Sequence, residues 1–561
     1  MGRMKKPSVI IIGAGVGGVA TAARLAKAGL KVTVFEKNNY TGGRCSLISS
    51  DDGYRFDQGP SLLLLPQIFH ETFRELGTSL EAEGVTLVKC DPNYKMHFHD
   101  KTSFTLSTDL SIMKAEIERI EGKDGFERYL SFLQEAHRHY ELSVTHVLRK
   151  NFPSVLSMLR WGFVKHLFSL HPFESLYARA SIYFSTERLR RVFTFASMYM
   201  GMSPYDAPGT YSLLQYTELV EGIWYPIGGF HRIVEALVNI GERLDVTYRL
   251  NTPVSRILLS PDGERATGVL LAGSNETFTA DIVICNADLT YAYTNLLPST
   301  SYSRSLAKRA ASCSSLSYYW ALDRQIPELS AHNIFLAEQY KESFDDIFKK
   351  HRIPAELSFY VNVPSRVDPS AAPPGRDALV VLVPIGNLTS GPQDWPAVSA
   401  ETRDAVLHTI EDRLRISIKP HILHETMNTP PTWKETFNLD RGAILGLSHS
   451  FFNVLGFRPK TSHPDLDGLW FVGASTHPGT GVPIVLAGAR IVSREVLGRW
   501  RKRVPWEMGV KGVGEAEGIK MAQVGEAIAI SVAVIAVFVA FYWWFTGTDI
   551  GGWEWLFWGS R

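Results

Sequence analysis

The sequence predicts an α/β protein organised around a parallel strand–helix–strand unit near its amino-terminal end. Three observations carry this. Val9 to Ile12 is a short β-branched run, as a strand buried on both faces requires. Gly13, Gly15 and Gly18 follow at GxGxxG spacing, and an Ala-rich, Leu-spaced helix then runs to Ala28 and stops at Gly29. Lys31 to Phe35 alternates as a second strand, and Glu36 closes it. Such a unit binds a dinucleotide. Gly13 permits the tight turn, Gly15 admits a pyrophosphate to the backbone, and Gly18 packs helix on strand; Gly17 lies in the same loop. The helix N-terminus offers free N–H groups to phosphate. Glu36, at the usual distance beyond the glycines, can accept hydrogen bonds from ribose hydroxyls.

The residues after Glu36 bear on which dinucleotide. Lys37 is the next residue, and Thr41-Gly42-Gly43-Arg44-Cys45-Ser46 follows closely. Phe56-Asp57-Gln58-Gly59-Pro60-Ser61 comes next. The second glycine pair lets another loop approach the diphosphate, and Arg44 can offset its charge. This arrangement resembles the flavoprotein superfamily marked by a glycine doublet, which includes amine oxidases, carotenoid desaturases, protoporphyrinogen oxidases and Rab GDP-dissociation inhibitors. The resemblance implies a Rossmann-like fold and FAD.

The 561 residues exceed what one hydrophobic core organises, so two globular domains are expected. Hydrophobic residues make up 45% and charged residues 20%, as in an ordinary folded protein. A formal net charge of +1 argues against a nucleic-acid partner. Four cysteines without CxxC spacing argue against a disulfide framework or a zinc site. Arg3, Lys5 and Lys6 before an apolar run imitate a secretory signal, but the glycine fingerprint occupies that run. Lys6 also departs from the myristoylation pattern.

From Ser107 to Leu219 a helical region is expected. Glu116 to Tyr140 carries apolar residues at helical spacing. Phe152 to Phe173, rich in Leu, Phe and Trp with Arg160 and Lys165 interspersed, reads equally as a helix pair on the core or as a patch dipping into lipid. Tyr225-Pro226-Ile227-Gly228-Gly229 makes a turn before a helix from Ile233. Four strand candidates, Val246–Leu250, Thr252–Leu258, Ala266–Leu271 and Asp281–Ala287, are expected to complete the nucleotide domain, with Val254 near the adenine. Leu316–Leu322, Leu357–Val363 and Ala378–Pro384 read as strands of a mixed sheet, and Thr402–Ile416 as an amphipathic helix over it. Leu469 to Val472 reads as a strand leading into Gly473-Ala474-Ser475-Thr476-His477-Pro478-Gly479-Thr480-Gly481-Val482-Pro483 and a helix to Trp500. That is a second helix N-terminus suited to phosphate and the flavin edge.

Ala527 to Phe545 contains no charged residue. A helix of that length spans roughly 28 Å, close to the hydrocarbon layer. Tyr542, Trp543 and Trp544 suit an interface. Arg501, Lys502, Arg503, Lys511 and Lys520 precede it and only Arg561 follows, so the expectation is a single-pass C-terminal anchor with a cytosolic catalytic portion, the endoplasmic reticulum being the candidate membrane. The expected division is a Rossmann-like FAD-binding domain in three segments (7–106, 220–300, 461–505), a helical, membrane-facing subdomain (107–219) and an inserted mixed α+β substrate domain (301–460). A linker (506–526), a transmembrane helix (527–545) and a short tail (546–561) complete it.

Four stretches carry a narrower resemblance: Gly473–Pro483, Gly222–Leu237 (GIWYPIGGFHRIVEAL), Phe56–Pro66 (FDQGPSLLLLP) and Val363–Gly375 (VPSRVDPSAAPPG). Over residues 7–500 the chain resembles the bacterial- and fungal-type phytoene desaturases, and its C-terminal apolar run resembles the fungal members more. The resemblance implies FAD, with NAD the weaker alternative because one nucleotide fingerprint is visible. It implies successive dehydrogenation of a hydrophobic C40 polyene, phytoene, to lycopene or 3,4-didehydrolycopene, with oxygen or a quinone as terminal acceptor. Hydride leaves an allylic carbon in a dry channel, the polyene delocalises the positive charge, and a proton then departs. His477 and His231 are candidates for its acceptor, or are loop histidines that only shape backbone. Two alternatives stay open. A flavin amine oxidase shares the superfamily features, and a GDP-dissociation-inhibitor-type prenyl-binding protein shares the resemblance but lacks the intact fingerprint seen here.

Overall fold

The structure, a computed structural model, describes residues 6–507. Its first sheet is parallel throughout. β1 (Ser8–Ile12) is central, flanked by β2 (Lys31–Phe35) on one side, with β3 (Thr247–Arg249) beyond. On the other side lie β4 (Ile282–Cys285) and then β5 (Leu469–Phe471). Val9 lies beside Val32 and Ile282, so three β-branched residues share one layer. Every residue of β4 is buried, which is why its sequence is continuously apolar. Helices α1 (Val16–Lys27) and α2 (Val482–Arg499) pack against each other on this sheet. The sheet is thus stitched from segments near both ends of the described chain and from its middle.

The second sheet has seven strands in the order Ile422–Asn428, Ser314–Leu322, Ala378–Ile385, Phe359–Asn362, His332–Phe335, Tyr94–His97, Ser103–Leu106. It is antiparallel except where Lys95, Met96 and His97 pair with Asn333, Ile334 and Phe335. Tyr94–His97 and Ser103–Leu106 therefore join the second sheet, although the expected boundary at 106 grouped them with the nucleotide segment. Their alternation is visible in sequence, but their partner strand, far along the chain, is not. Likewise Val254–Leu259, Ala266–Leu271 and Thr277–Thr279 do not extend the parallel sheet. They form an antiparallel three-stranded sheet. The turns joining them, with Gly263 and Gly273 at positive φ, are too short for a crossover.

The helical region also departs from expectation. Leu110–Glu121 and Asp124–Ser143 are separate helices, broken at Gly122, whose φ is 75°. Phe152–Phe173 is not a helix pair but three single turns, Val155–Leu159, Trp161–Val164 and Phe168–Leu170. Pro153 removes a donor at its start, and Arg160 adopts extended backbone between the first two turns. Among the described residues no helix is long and apolar enough to cross a membrane. The expected anchor at 527–545 lies outside the described residues. All four cysteines are buried and unbridged.

Candidate functional site

One cavity of about 980 Å³ lies where the two sheets meet the helical region. Its polar end is made by backbone. Gly13, at φ 96°, turns the chain out of β1, and its N–H is donated to the Phe35 carbonyl of β2 at 2.7 Å. A Cβ at Gly18 would stand 2.1 Å from the Gly13 carbonyl oxygen, so only glycine lets α1 lie this close to the strand. Gly15, Val16 and Gly17 face the cavity while Gly18 does not. α1 has no side-chain cap and no acidic residue in its first turn. The same is true of α2, whose first residues, Val482 and Pro483, border the cavity with Gly481 before them. Two helix N-termini thus present free N–H groups to one space, the arrangement an anionic diphosphate fits.

The remaining polar wall converges from three directions. Glu36 borders the cavity, and its carboxylate accepts from the backbone N–H of Ala14 (2.8 Å) and of Asn38 (2.9 Å). That fixes the acid against the glycine turn. Gly42 and Gly43, both at positive φ, bring a second loop against the first, with Gly42 N–H donated to Ala14 O at 2.8 Å. Arg44 is enclosed by protein yet keeps accessible surface, and that surface belongs to the cavity. Its guanidinium donates to the Ile444 carbonyl and makes no ion pair among the described residues. Burial draws its pKa down, opposed by the Asp288 carboxylate. An arginine in that state fits an anion. Lys37 borders the cavity too, but its ammonium is bonded to Glu435 O (2.6 Å) and Asn438 Oδ1 (3.1 Å), tying the loop to a distant helix end. Gly59, Pro60, Ser61, Val254, Gly473 and Ala474 line the same space.

Beyond these loops the cavity continues between apolar walls. Met158, Phe163, Leu167 and Leu455 contribute from the single-turn region and its neighbour, Leu382 and Trp433 from the second sheet and the helix beside it. Tyr199 and Tyr360 also border this end. Tyr360 bonds Ser61 Oγ (2.8 Å) and His332 Nδ1 (2.7 Å).

Neither candidate histidine borders the cavity. His477 is buried, donates from Nε2 to the Lys150 carbonyl at 2.8 Å, and is held down to about 4 by burial. His231 sits behind the glycine doublet, its Nδ1 3.2 Å from the Cys45 carbonyl, with its pKa lowered by burial. Of the two readings open for them, loop-shaping histidine or proton acceptor, these bonds to backbone carbonyls fit the first. Their loop positions drew attention in the sequence, but their rings turn toward backbone carbonyls. Sequence reasoning missed Asn286, which follows β4 directly and donates from Nδ2 to the Gly13 carbonyl at 3.3 Å. Its signal was present: a polar residue ends a continuous apolar strand facing the glycine turn. It also missed Tyr199, for which no local signal exists.

The model of the family described as flavin containing amine oxidoreductase matches residues 16–497. Curated relatives include a phytoene desaturase of Fusarium fujikuroi, 60% identical over 89% of this chain and 91% of its own length. Another, from Cercospora nicotianae, is 57% identical over 90% and 91%. Among solved structures, an oxidoreductase from Methanosarcina mazei superposes with a TM-score of 0.59 over 87% of this chain and 100% of its own, at 18% identity, a likeness of fold alone.

Proposed function

The chain belongs to the flavin-containing amine oxidoreductase family, and we propose that it desaturates phytoene with FAD as its oxidant. The observation that carries this reading is the single cavity that runs from two uncapped helix N-termini into apolar walls. It suits a hydrophobic carotenoid substrate set against a dinucleotide. Bound FAD supplies a two-electron acceptor for the hydride of an allylic carbon.

The chain's own residues do the rest. Gly13, Gly15, Gly17 and the α1 N-terminus would hold one part of the diphosphate, with Gly42, Gly43 and Arg44 opposite. Glu36, already fixed by two backbone donors, would receive the ribose, and Val254 would lie toward the adenine. Gly473, Ala474, Gly481, Val482 and Pro483 would carry the flavin edge. The walls at Phe163, Leu167 and Leu382 exclude water, so the positive charge left on the polyene meets hydrocarbon side chains there instead of solvent. The product is lycopene or 3,4-didehydrolycopene, and the reduced enzyme passes its electrons to oxygen or a quinone. The apolar run at 527–545 anchors the protein in a membrane, the endoplasmic reticulum by this reading, with the catalytic portion on the cytosolic face. Leu156, Phe173 and Phe452 are exposed beside the apolar end of the cavity and would meet the same lipid.

The test is expression in a bacterium that accumulates phytoene, with the pigment resolved by chromatography. Coloured, desaturated product is expected. Colourless cells containing folded, flavin-loaded protein would rule the substrate out.

A further inference from the structure

A polar path leads out of the apolar end of the cavity. Tyr199 borders the cavity and donates its hydroxyl to that of Tyr94. Tyr94 donates in turn to Glu218 Oε1 at 3.2 Å. Tyr94 and Glu218 are buried and do not border the cavity themselves. Glu218 lies on a π-turn, Thr217–Glu221, an irregularity that aims a side chain where a regular helix would not. The titratable neighbours of this carboxyl are phenols: Tyr94 from the second sheet, Tyr199 from the Phe195–Met200 turn, and Tyr360 beyond them. On its own turn Glu221 is occupied by Tyr140 at 2.7 Å. None of the named neighbours is a cation, and burial pushes the Glu218 carboxyl up to about 8.

We propose that Tyr199, Tyr94 and Glu218 form a relay that carries away the proton the substrate must lose after its hydride. The inference rests on the desaturase reading. Hydride loss to FAD takes two electrons from one carbon and leaves a delocalised cation. The C–H bond on the adjacent carbon then breaks, and its electron pair becomes the new C=C bond. That proton adds to the Tyr199 oxygen as the Tyr199 proton moves to Tyr94 and the Tyr94 proton to Glu218. Both hydroxyls are restored and the carboxylate becomes a carboxylic acid. The hydrogen bonds already point in this direction. A base buried among phenols accepts the proton without bringing water to the cation.

Only ionised Glu218 can act so. The ionised fraction grows as pH rises, and the rate should rise with it and level off above about pH 8. The experiment is anaerobic single turnover of the flavin-loaded protein with phytoene in liposomes, from pH 6 to 9. Wild type should show that rise. Glu218→Gln should be slower by about 100-fold, with the pH dependence gone. Tyr199→Phe, which leaves the carboxyl in place, should be slowed comparably. Infrared difference spectra supply a second readout: a buried carboxyl C=O band should disappear through about pH 8 in wild type and Tyr199→Phe, and be missing in Glu218→Gln. Variants with wild-type rates and an unchanged profile overturn the relay, as does the lack of a titrating carboxyl band. Wild type that makes no desaturated product at any pH overturns the desaturase reading instead.

Discussion

The two ends of the cavity are specified in different ways. The dinucleotide end is made by backbone at close range: glycines at positive φ, two helix N-termini, and one acid fixed by main-chain donors. Each feature resides in one short stretch of chain. The apolar end is made by side chains from several distant segments, among them the turns around Met158 and Phe163, the Phe195–Met200 turn, the second sheet and Leu455. The lesson is one of tolerance. A backbone-built site fails when an atom is added where main chain already touches, as at Gly18, whereas a side-chain wall accepts changes of shape but not of polarity.

The largest effect should follow from adding one methyl group at the dinucleotide end. In Gly18→Ala the new Cβ would stand 2.1 Å from a backbone oxygen that has no rotamer to escape into. Helix α1 must shift off β1, and the diphosphate loop shifts with it. The yield of flavin-bound protein, read from its visible absorbance against total protein, should fall at least about tenfold. Normal flavin content in that variant would mean the glycine turn is softer than the contrast requires.

A polarity change at the other end should leave flavin alone. Leu455 borders the cavity with φ 53°, a conformation that Asp adopts more readily than Leu. Leu455→Asp therefore adds a charge to the wall without adding backbone strain. Flavin content should match wild type while KM for phytoene rises about tenfold, since a charge in an apolar wall must be solvated. Loss of flavin in this variant would show that the two ends are not independently built.

This contrast also sets what could be read in advance. β1, α1, β2, Glu36 and the closing loop into α2 are legible because their chemistry is local: spacing, a terminal acid, a strand followed by glycine. Tyr94–His97 was not read as a strand of the second sheet, because so short a stretch carries no record of a partner so remote in sequence. The two readings of the histidines stayed open in sequence for a related reason. Residue type and loop position suggest a proton acceptor, but ring direction is set by carbonyls of Lys150 and Cys45 that the local sequence does not reveal. Tyr199 and Glu218 are the converse case, ordinary in sequence and distinctive only once Tyr94 joins them.

The smallest effect, and the sharpest test of how dry the apolar end is, lies in the pH dependence of stability. Glu218 titrates at about 8 when folded, against roughly 4.3 in an unfolded chain. Between those values the folded protein keeps a proton that the unfolded chain has released. A raised carboxyl of this kind leaves stability intact below the unfolded pKa and withdraws it progressively as pH climbs to the folded one. Glu218→Gln keeps an acceptor for Tyr94 but has no proton to lose. Its melting temperature should match wild type near pH 4.5, exceed it by a margin of a few degrees that widens toward pH 8, and run parallel above. Scanning calorimetry of the flavin-loaded proteins at matched ionic strength reads this directly. A constant difference across that range would mean Glu218 ionises as an ordinary surface acid, so that water reaches the phenols and the apolar end is no drier than the dinucleotide end.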